Sequence, residues 1–427
     1  MPRTEKNLWT ASAPNRPVTP SLTEKLIADV VVIGGGFTGL SAALHLAEAG
    51  QKVVVLEGRD IGHGGSGRNV GLVNAGMWVR PDDLVATIGE TVGNRLLTEL
   101  GNGPGLVYDL VSKHGMDCEA VHNGTLHMAV GQDGVKEINI RASQWQRRGA
   151  PVEVLDAAEA RRLTGADGFA GALLDRRAGT IQPLAYAHGL AVAAIKAGAK
   201  VFTASPVVAA SRQGGSWLLR TRSGDVSAPR VIVASNDYAT PISGVNWTAH
   251  LGRLTSLPYF QFATKPLSPE NLRRILPEEH GCWDTGLVMT SFRRDKAGRL
   301  IFGSIGSLDA MAAGTHKAFS IRSLKALFPF LGEIEFDFWW DGTIGMTSNN
   351  LPSFHRPDEN VWSITGYNGR GISPGTVFGR AMAGVAMGDA SAMPLPVESV
   401  TSDPWRTAKS AFFHIGSQAK HFIDRRF

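Results

Sequence analysis

The chain has 427 residues, 43% of them hydrophobic, enough for one large domain or two ordinary ones with their own cores. Its 50 glycines keep no fixed period, which excludes a collagen-like repeat and suits an α/β protein rich in tight turns. A formal charge of +5 is spread along the sequence without a long Lys/Arg run, which excludes a concentrated nucleic-acid face but favours anionic small molecules.

Residues 1–28 are polar, hold four prolines and predict an irregular arm without the apolar core of a signal peptide. Asp29–Ile33 predicts a buried strand, Phe37–Ala49 a helix closed by Gly50, and Val53–Glu57 a second buried strand, which together make a βαβ unit. Residues 60–76 form a long glycine-rich loop. Helical spacing follows over Asp82–Leu100, Gly105–His114, Glu137–Arg148, Ala157–Leu163 and Leu184–Ala197. Val201–Arg222 alternates around a Gly-Gly turn and predicts a hairpin, and Val231–Ser235 another buried strand. From 250 to 345 aromatics increase and alternating strands such as Leu257–Phe262 and Arg299–Gly303 predict a mostly antiparallel sheet. Val361–Thr365 returns to the parallel style, before a glycine cluster and a helix over Pro374–Met387. The tail Phe412–Phe427 is aromatic and basic, which predicts a docking helix or a weak contact with a membrane surface.

The strongest motif is Gly34-Gly35-Gly36-Phe37-Thr38-Gly39, placed between a strand and a helix. Gly34 permits the turn, Gly36 lets the backbone approach a pyrophosphate, and Gly39 lets helix and strand pack closely. Glu57 ends the second strand, 18 residues beyond Gly39, where a carboxylate accepts from a ribose and disfavours a 2′-phosphate. The alternative is a tight βα turn with no ligand. A similar run, Gly101–Gly105, follows a helical stretch and predicts only a turn.

NAD and FAD share that fingerprint, so other segments must separate them. His63–Gly71 is glycine-rich, and Gly366-Tyr367-Asn368-Gly369-Arg370-Gly371 precedes Ser373 and Pro374, a good N-cap and first helical residue. A second helix N-terminus there would favour the negative charge of a reduced flavin, unless it is an ordinary βα turn.

The series DVVVIGGGFTGLSAALHLAEAG, VVVLE, GGSGRN, VIVAS and GYNGRG resembles the D-amino-acid oxidase superfamily of FAD enzymes. Leu8-Trp9, GHGGSGRNVGLVNAG and Trp283-Asp284 make it most similar to the branch of bacterial L-pipecolate, iminodiacetate and γ-glutamylputrescine oxidases. The resemblance implies an α/β fold, with a Rossmann-type FAD domain over 29–100, 150–245 and 340–427. An antiparallel-sheet substrate domain over 101–149 and 246–339 is inserted into it. Carried over by motif, Gly34, Gly36, Phe37, Thr38, Gly39, Glu57 and Gly58 hold the adenosine side. Ser66, Gly67, Arg68, Asn69, Gly71 and Leu72 line the pyrophosphate and flavin. Val207 meets the adenine and Ala234 completes that wall. Gly366, Asn368, Gly369, Arg370 and Gly371 line the flavin ring. Sarcosine-oxidase-like members carry His-Gly-x-Lys where this chain has Arg370-Gly371-Ile372-Ser373, so their lysine does not transfer and another group must anchor the substrate. Neither Cys118 nor Cys282 sits at a flavin-linking position, so FAD is expected to be non-covalent, with His63 the one open case.

The activity so implied is oxidation of a small secondary amine or amino acid, such as L-pipecolate or an N-substituted glycine like iminodiacetate, with O2 reduced to hydrogen peroxide. The alternatives are a dehydrogenase, including one for γ-glutamylputrescine-type substrates, that feeds a quinone chain, and a non-catalytic dinucleotide-binding protein. Such a site needs a dry aromatic surface and a carboxylate anchor. Tyr259 and Gln261 share one strand face, and Trp283, Tyr367, Arg370 and Arg253 complete the candidates. For Arg253, and for Arg80 beside Trp78, a surface ion pair is the alternative; Trp339-Trp340 is expected to close the core. The 12 histidines lack metal-ligand spacing, so no metal is expected, and cysteine usage points to a reducing cytoplasm.

Overall fold

The computed structural model describes residues 6–14, 16–309 and 312–424. The apolar run Val30–Ile33 forms the centre of a six-stranded sheet. Val53–Leu56 and Lys200–Phe202 extend it on one side, and Arg230–Val233, Val361–Thr365 and Ser353–Asp358 on the other. All neighbours are parallel except the outermost pair, Ser353–Asp358 with Val361–Thr365. Lys200–Phe202 therefore belongs to this sheet, and the hairpin is Ala209–Gln213 with Ser216–Arg220. A hairpin arm would have left the parallel edge strand Val53–Leu56 uncovered.

Helix Phe37–Glu48 covers the sheet, with ten of its residues buried. A second sheet of eight strands runs Phe336–Met346, Thr255–Pro266, Arg299–Ile305, Thr290–Arg294, Gly281–Asp284, Thr125–Ala129, Gly171–Asp175, Val152–Asp156. Its pairs are antiparallel apart from Gly281–Asp284 with Thr125–Ala129. It recruits strands 152–156 and 171–175, so the change of sheet does not fall at residue 150. The helical stretch near 82–100 is two helices, Pro81–Ile88 and Glu90–Gly101, because Gly89 takes φ +86 between them.

The N-terminal segment is less irregular than its composition predicts. Leu8–Ser12 is a helix with Trp9 fully buried, and Lys25–Ile27 pairs with Asp225–Ala228. Trp9 packs edge-on to Trp340 at 5.7 Å, and the indole Nε1 of Trp340 donates to Arg68 O at 2.8 Å.

The tail forms helix Arg406–Ile423, docked through Ser417 and His421. His421 Nδ1 lies 2.9 Å from His316 Nδ1, its Nε2 lies 3.3 Å from Ser304 Oγ, and Arg322 Nη2 donates to its carbonyl at 2.6 Å. One imidazole must donate to the other's lone pair, so at least one of the two is neutral in this contact. Burial, then the fields of His316, Lys420 and Arg322, push His421 down to about 3. A docked helix thus binds fewer protons than a free one, whose imidazole titrates near 6.5. Docking is unaffected above that value and weakens as pH falls towards 3, by about tenfold per pH unit. Hydrogen exchange of the tail amides should accelerate accordingly; rates flat down to about pH 4.5 would contradict this coupling.

Candidate functional site

A cavity of about 1060 Å³ runs from the C-terminal edge of the parallel sheet to the face of the eight-stranded sheet. Glu57, Gly58, Arg59, Val207 and Ala234 line one end, Gly34–Thr38 and Ser66 the middle, and Trp78, Tyr259, Gln261, Trp283 and Gly369–Ile372 the other. Its volume sits at the top of the range for ligand pockets, roughly 300–1,000 Å³, which suits a dinucleotide plus a small second ligand.

The first glycine turn is built for close backbone approach. Gly34 has φ +112, and a Cβ on Gly39 would lie 2.0 Å from Gly34 O. Gly36 caps helix Phe37–Glu48 with no side-chain partner, leaving a helix N-terminus open to a phosphate, and Ser66 Oγ accepts from Phe37 N–H at 3.1 Å. Glu57 accepts from Gly35 N–H at 2.6 Å and Arg59 N–H at 2.8 Å. Burial raises its carboxyl pKa, and those two donors oppose the rise. These residues fit the adenosine and pyrophosphate of a dinucleotide.

The second turn is joined to the first. Tyr367 OH and Thr38 Oγ1 lie 2.6 Å apart. Helix Ile372–Ala386 crosses Phe37–Glu48 at Gly375 and Gly379, where a Cβ on Gly379 would meet Thr38 O at 2.5 Å. Ser41 Oγ donates to Thr376 O at 2.8 Å. Small residues at this crossing bring the two helix N-termini to the same cavity wall. The second helix starts two residues earlier than the Ser-Pro signal suggests. Gly371 is its N-cap, and Ser373 is the second helical residue, its buried hydroxyl without a partner among the described residues. Asn368 (φ +51) shapes the turn, its Oδ1 accepting from Thr347 N–H at 2.8 Å.

Arg370 is buried at the far end. Its guanidinium lies 5.0 Å from the Trp283 ring and 5.4 Å from Trp78, and its Nη1 donates to Ala75 O at 2.6 Å. Its Nε has no partner, and among the described residues no carboxylate forms an ion pair with it. Burial, and then repulsion from Arg141, push it down to about 9. A desolvated cation so placed is a receptor for an anion. Trp283 also stacks on His127 at 3.5 Å, and His127 is held neutral by burial and by Arg141 and Arg370.

The structure brings Tyr259, Trp283, Tyr367 and Arg370 to the cavity wall. Tyr367 spends its hydroxyl on Thr38, so it positions the two turns. Arg253 does not reach the cavity; it pairs with Glu398 at 2.8 Å. Arg80 is likewise in surface ion pairs with Asp83 and Glu137. Leu72 and Asn69 line the cavity, while Gly39, Gly67, Arg68, Gly71 and Gly366 stand behind it and shape it. Arg68 bonds His63 O and Asp341 O, Asn7 Nδ2 donates to Gly67 O, and Gly366 N–H donates to Asn236 Oδ1. Sequence reasoning missed Asn74, Tyr238, Met289, Ser291 and Ser304 on the wall, and His127 behind Trp283. Asn74 lies in the GHGGSGRNVGLVNAG block without having been singled out, and the others lie in no motif.

The sequence matches the family described as DAO, FAD dependent oxidoreductase, over residues 29–385. It is 32% identical to the γ-glutamylputrescine oxidoreductase of Escherichia coli K12 over 387 residues, covering 90% of this chain and 89% of that one. It is 30% identical to a probable oxidoreductase OrdL of Haemophilus influenzae, covering 95% and 94%. The fold resembles crystal structures of glycine oxidase from Geobacillus kaustophilus (TM-score 0.67, 20% identity, 85% and 95% covered) and L-proline dehydrogenase from P. horikoshii (0.69, 19%, 91% and 99%). Among the described residues no helix is long and apolar enough to cross a membrane.

Proposed function

The chain belongs to the DAO family of FAD-dependent oxidoreductases, which act on amines and amino acids, and on that premise we propose that its substrate is a small amine bearing a carboxylate. The observation that supports this reading is Arg370, a buried cation facing the cavity with no carboxylate of its own among the described residues. Its planar fork binds a carboxylate bidentately and holds the carbon beside nitrogen in one orientation. Trp78 and Trp283 keep water from that carbon, and Tyr259 and Gln261 line the same chamber with polar atoms. The amine must arrive neutral, because only its lone pair can drive formation of the imine. When bound, FAD supplies the two-electron acceptor for the hydride equivalent leaving that carbon. FAD is held without a covalent link in this reading; neither cysteine lines the cavity, although His63 does.

The first substrate class is a secondary amine such as L-pipecolate or an iminodiacetate-like N-substituted glycine, with O2 as the acceptor and hydrogen peroxide as the product. The E. coli relative's name favours a second class, γ-glutamylated amines, which also carry a carboxylate. Anaerobic bleaching of the flavin across pipecolate, iminodiacetate, sarcosine, proline and γ-glutamylputrescine separates the classes, and peroxide release in air tests the acceptor. If none of the five bleaches it, the substrate class is wrong. Bleaching without peroxide in air would instead favour the dehydrogenase that feeds a quinone.

A further inference from the structure

Helix Arg406–Ile423 is inverted in its polarity. The residues at the 0, 4, 7 and 11 spacing, Ser410, His414, Ser417 and His421, face the protein. Ser410 Oγ donates to Ser256 O at 2.7 Å, Ser304 Oγ meets His421, and His414 lies 3.3 Å from Asp309. The opposite face carries Ala408, Phe412, Ile415, Ala419 and Ile423, preceded by Trp405. Trp405 is 69% exposed, Phe412 71%, Ile415 64% and Ile423 61%. A surface helix ordinarily buries its apolar stripe and shows its polar one to water.

The charges choose the occupant. Between Trp405 and Phe427 stand five Lys or Arg (406, 409, 420, 425, 426) and one Asp (424), and the helix itself holds no Asp or Glu. Lys409 and Lys420 already hold the nearby carboxylates of Asp403 and Asp424, so a second copy of this face would set the remaining excess of cations against itself. At 18 residues the helix is about 27 Å long but too polar to cross a bilayer, so it fits one lying in the interface plane. We propose that this helix docks the enzyme on an anionic membrane surface, Trp405, Phe412 and Ile415 entering the acyl boundary while Arg406, Lys409 and Lys420 meet lipid headgroups.

The protein side of the helix reaches Ser304, which lines the substrate cavity, so the membrane-facing element and the cavity wall are in direct contact. The inference is independent of the substrate reading, because vesicle binding is scored without turnover. The test is flotation of the FAD-loaded full chain with vesicles of phosphatidylcholine, alone or mixed equally with phosphatidylglycerol, across a salt series. Expected is binding to the mixed vesicles that weakens with salt. The double variant Phe412→Asp, Ile415→Asp should reduce it about a hundredfold or more while leaving flavin absorbance and soluble turnover unchanged. Absence of binding to the anionic vesicles, or binding unchanged in the double variant, overturns the proposal. So does a dimer in light scattering that the same variant dissociates, which would assign the face to a second copy.

Discussion

Replacing Arg370 with methionine is expected to raise KM for a carboxylate-bearing amine roughly a hundredfold or more, with the flavin still bound. Removing one partner of a buried charged pair costs about 2–5 kcal/mol, and each 1.4 kcal/mol is a factor of ten. The distinguishing readout is the sign of the stability change without substrate. Arg370 stands desolvated beside Trp78 and Trp283, with one hydrogen bond to Ala75 O to offset its burial. Methionine fills similar volume without the charge, so the thermal midpoint of the substrate-free enzyme should hold or rise. A structural arginine would show the reverse, a lower midpoint with KM unchanged, and that outcome would remove the anchor role.

The second large effect is on the cofactor. Gly39→Ala places a methyl group 2.0 Å from the carbonyl oxygen of Gly34 and 3.1 Å from Val32. Both neighbours are fixed by the sheet, so the turn that carries Gly34–Gly36 must shift. Overpacking a fixed site typically costs about 1–3 kcal/mol, and here the displaced atoms are backbone that meets the pyrophosphate. Bound flavin should fall at least about tenfold, read from the ratio of visible to protein absorbance. The contrast is Gly105→Ala in the similar Gly101–Gly105 run. That position lies in helix Gly103–His114 with nothing within 4 Å of a new Cβ, so flavin content should be unchanged. Equal flavin in both variants would break the assignment of the first turn.

The local rules made the nucleotide half of the fold legible. Gly34, Gly36 and Gly39 between two apolar β-branched runs define their own geometry, and Glu57 follows at the end of the second run. The far turn was legible in position but not in register, since Ser373-Pro374 carries a strong capping signal. Packing against Thr38 and Ser41 starts the helix at Ile372 instead. Arg253 illustrates the other limit. Its partner, Glu398, lies 145 residues away in sequence and no spacing announces it. His127, too, is an ordinary strand residue until Gly281–Asp284 pairs in parallel with its strand and lays Trp283 over it. Long-range pairing decides the substrate chamber, whereas short-range turns decide the nucleotide cradle.

The burial of Trp9 has a consequence for synthesis. Asn7 and Trp9 close over the loop at Gly67 and Asn69, with Trp9 Nε1 donating to Asn69 O at 2.8 Å, yet the other wall of that pocket is Trp340. The strand Val361–Thr365 and the helix after it arrive later still. On the ribosome Trp9 must therefore wait for more than three hundred later residues before it can be buried. A nascent chain that stops short of these segments leaves Trp9 exposed and the cradle unfinished, so cofactor loading must wait until the turn at 366–371 has been made.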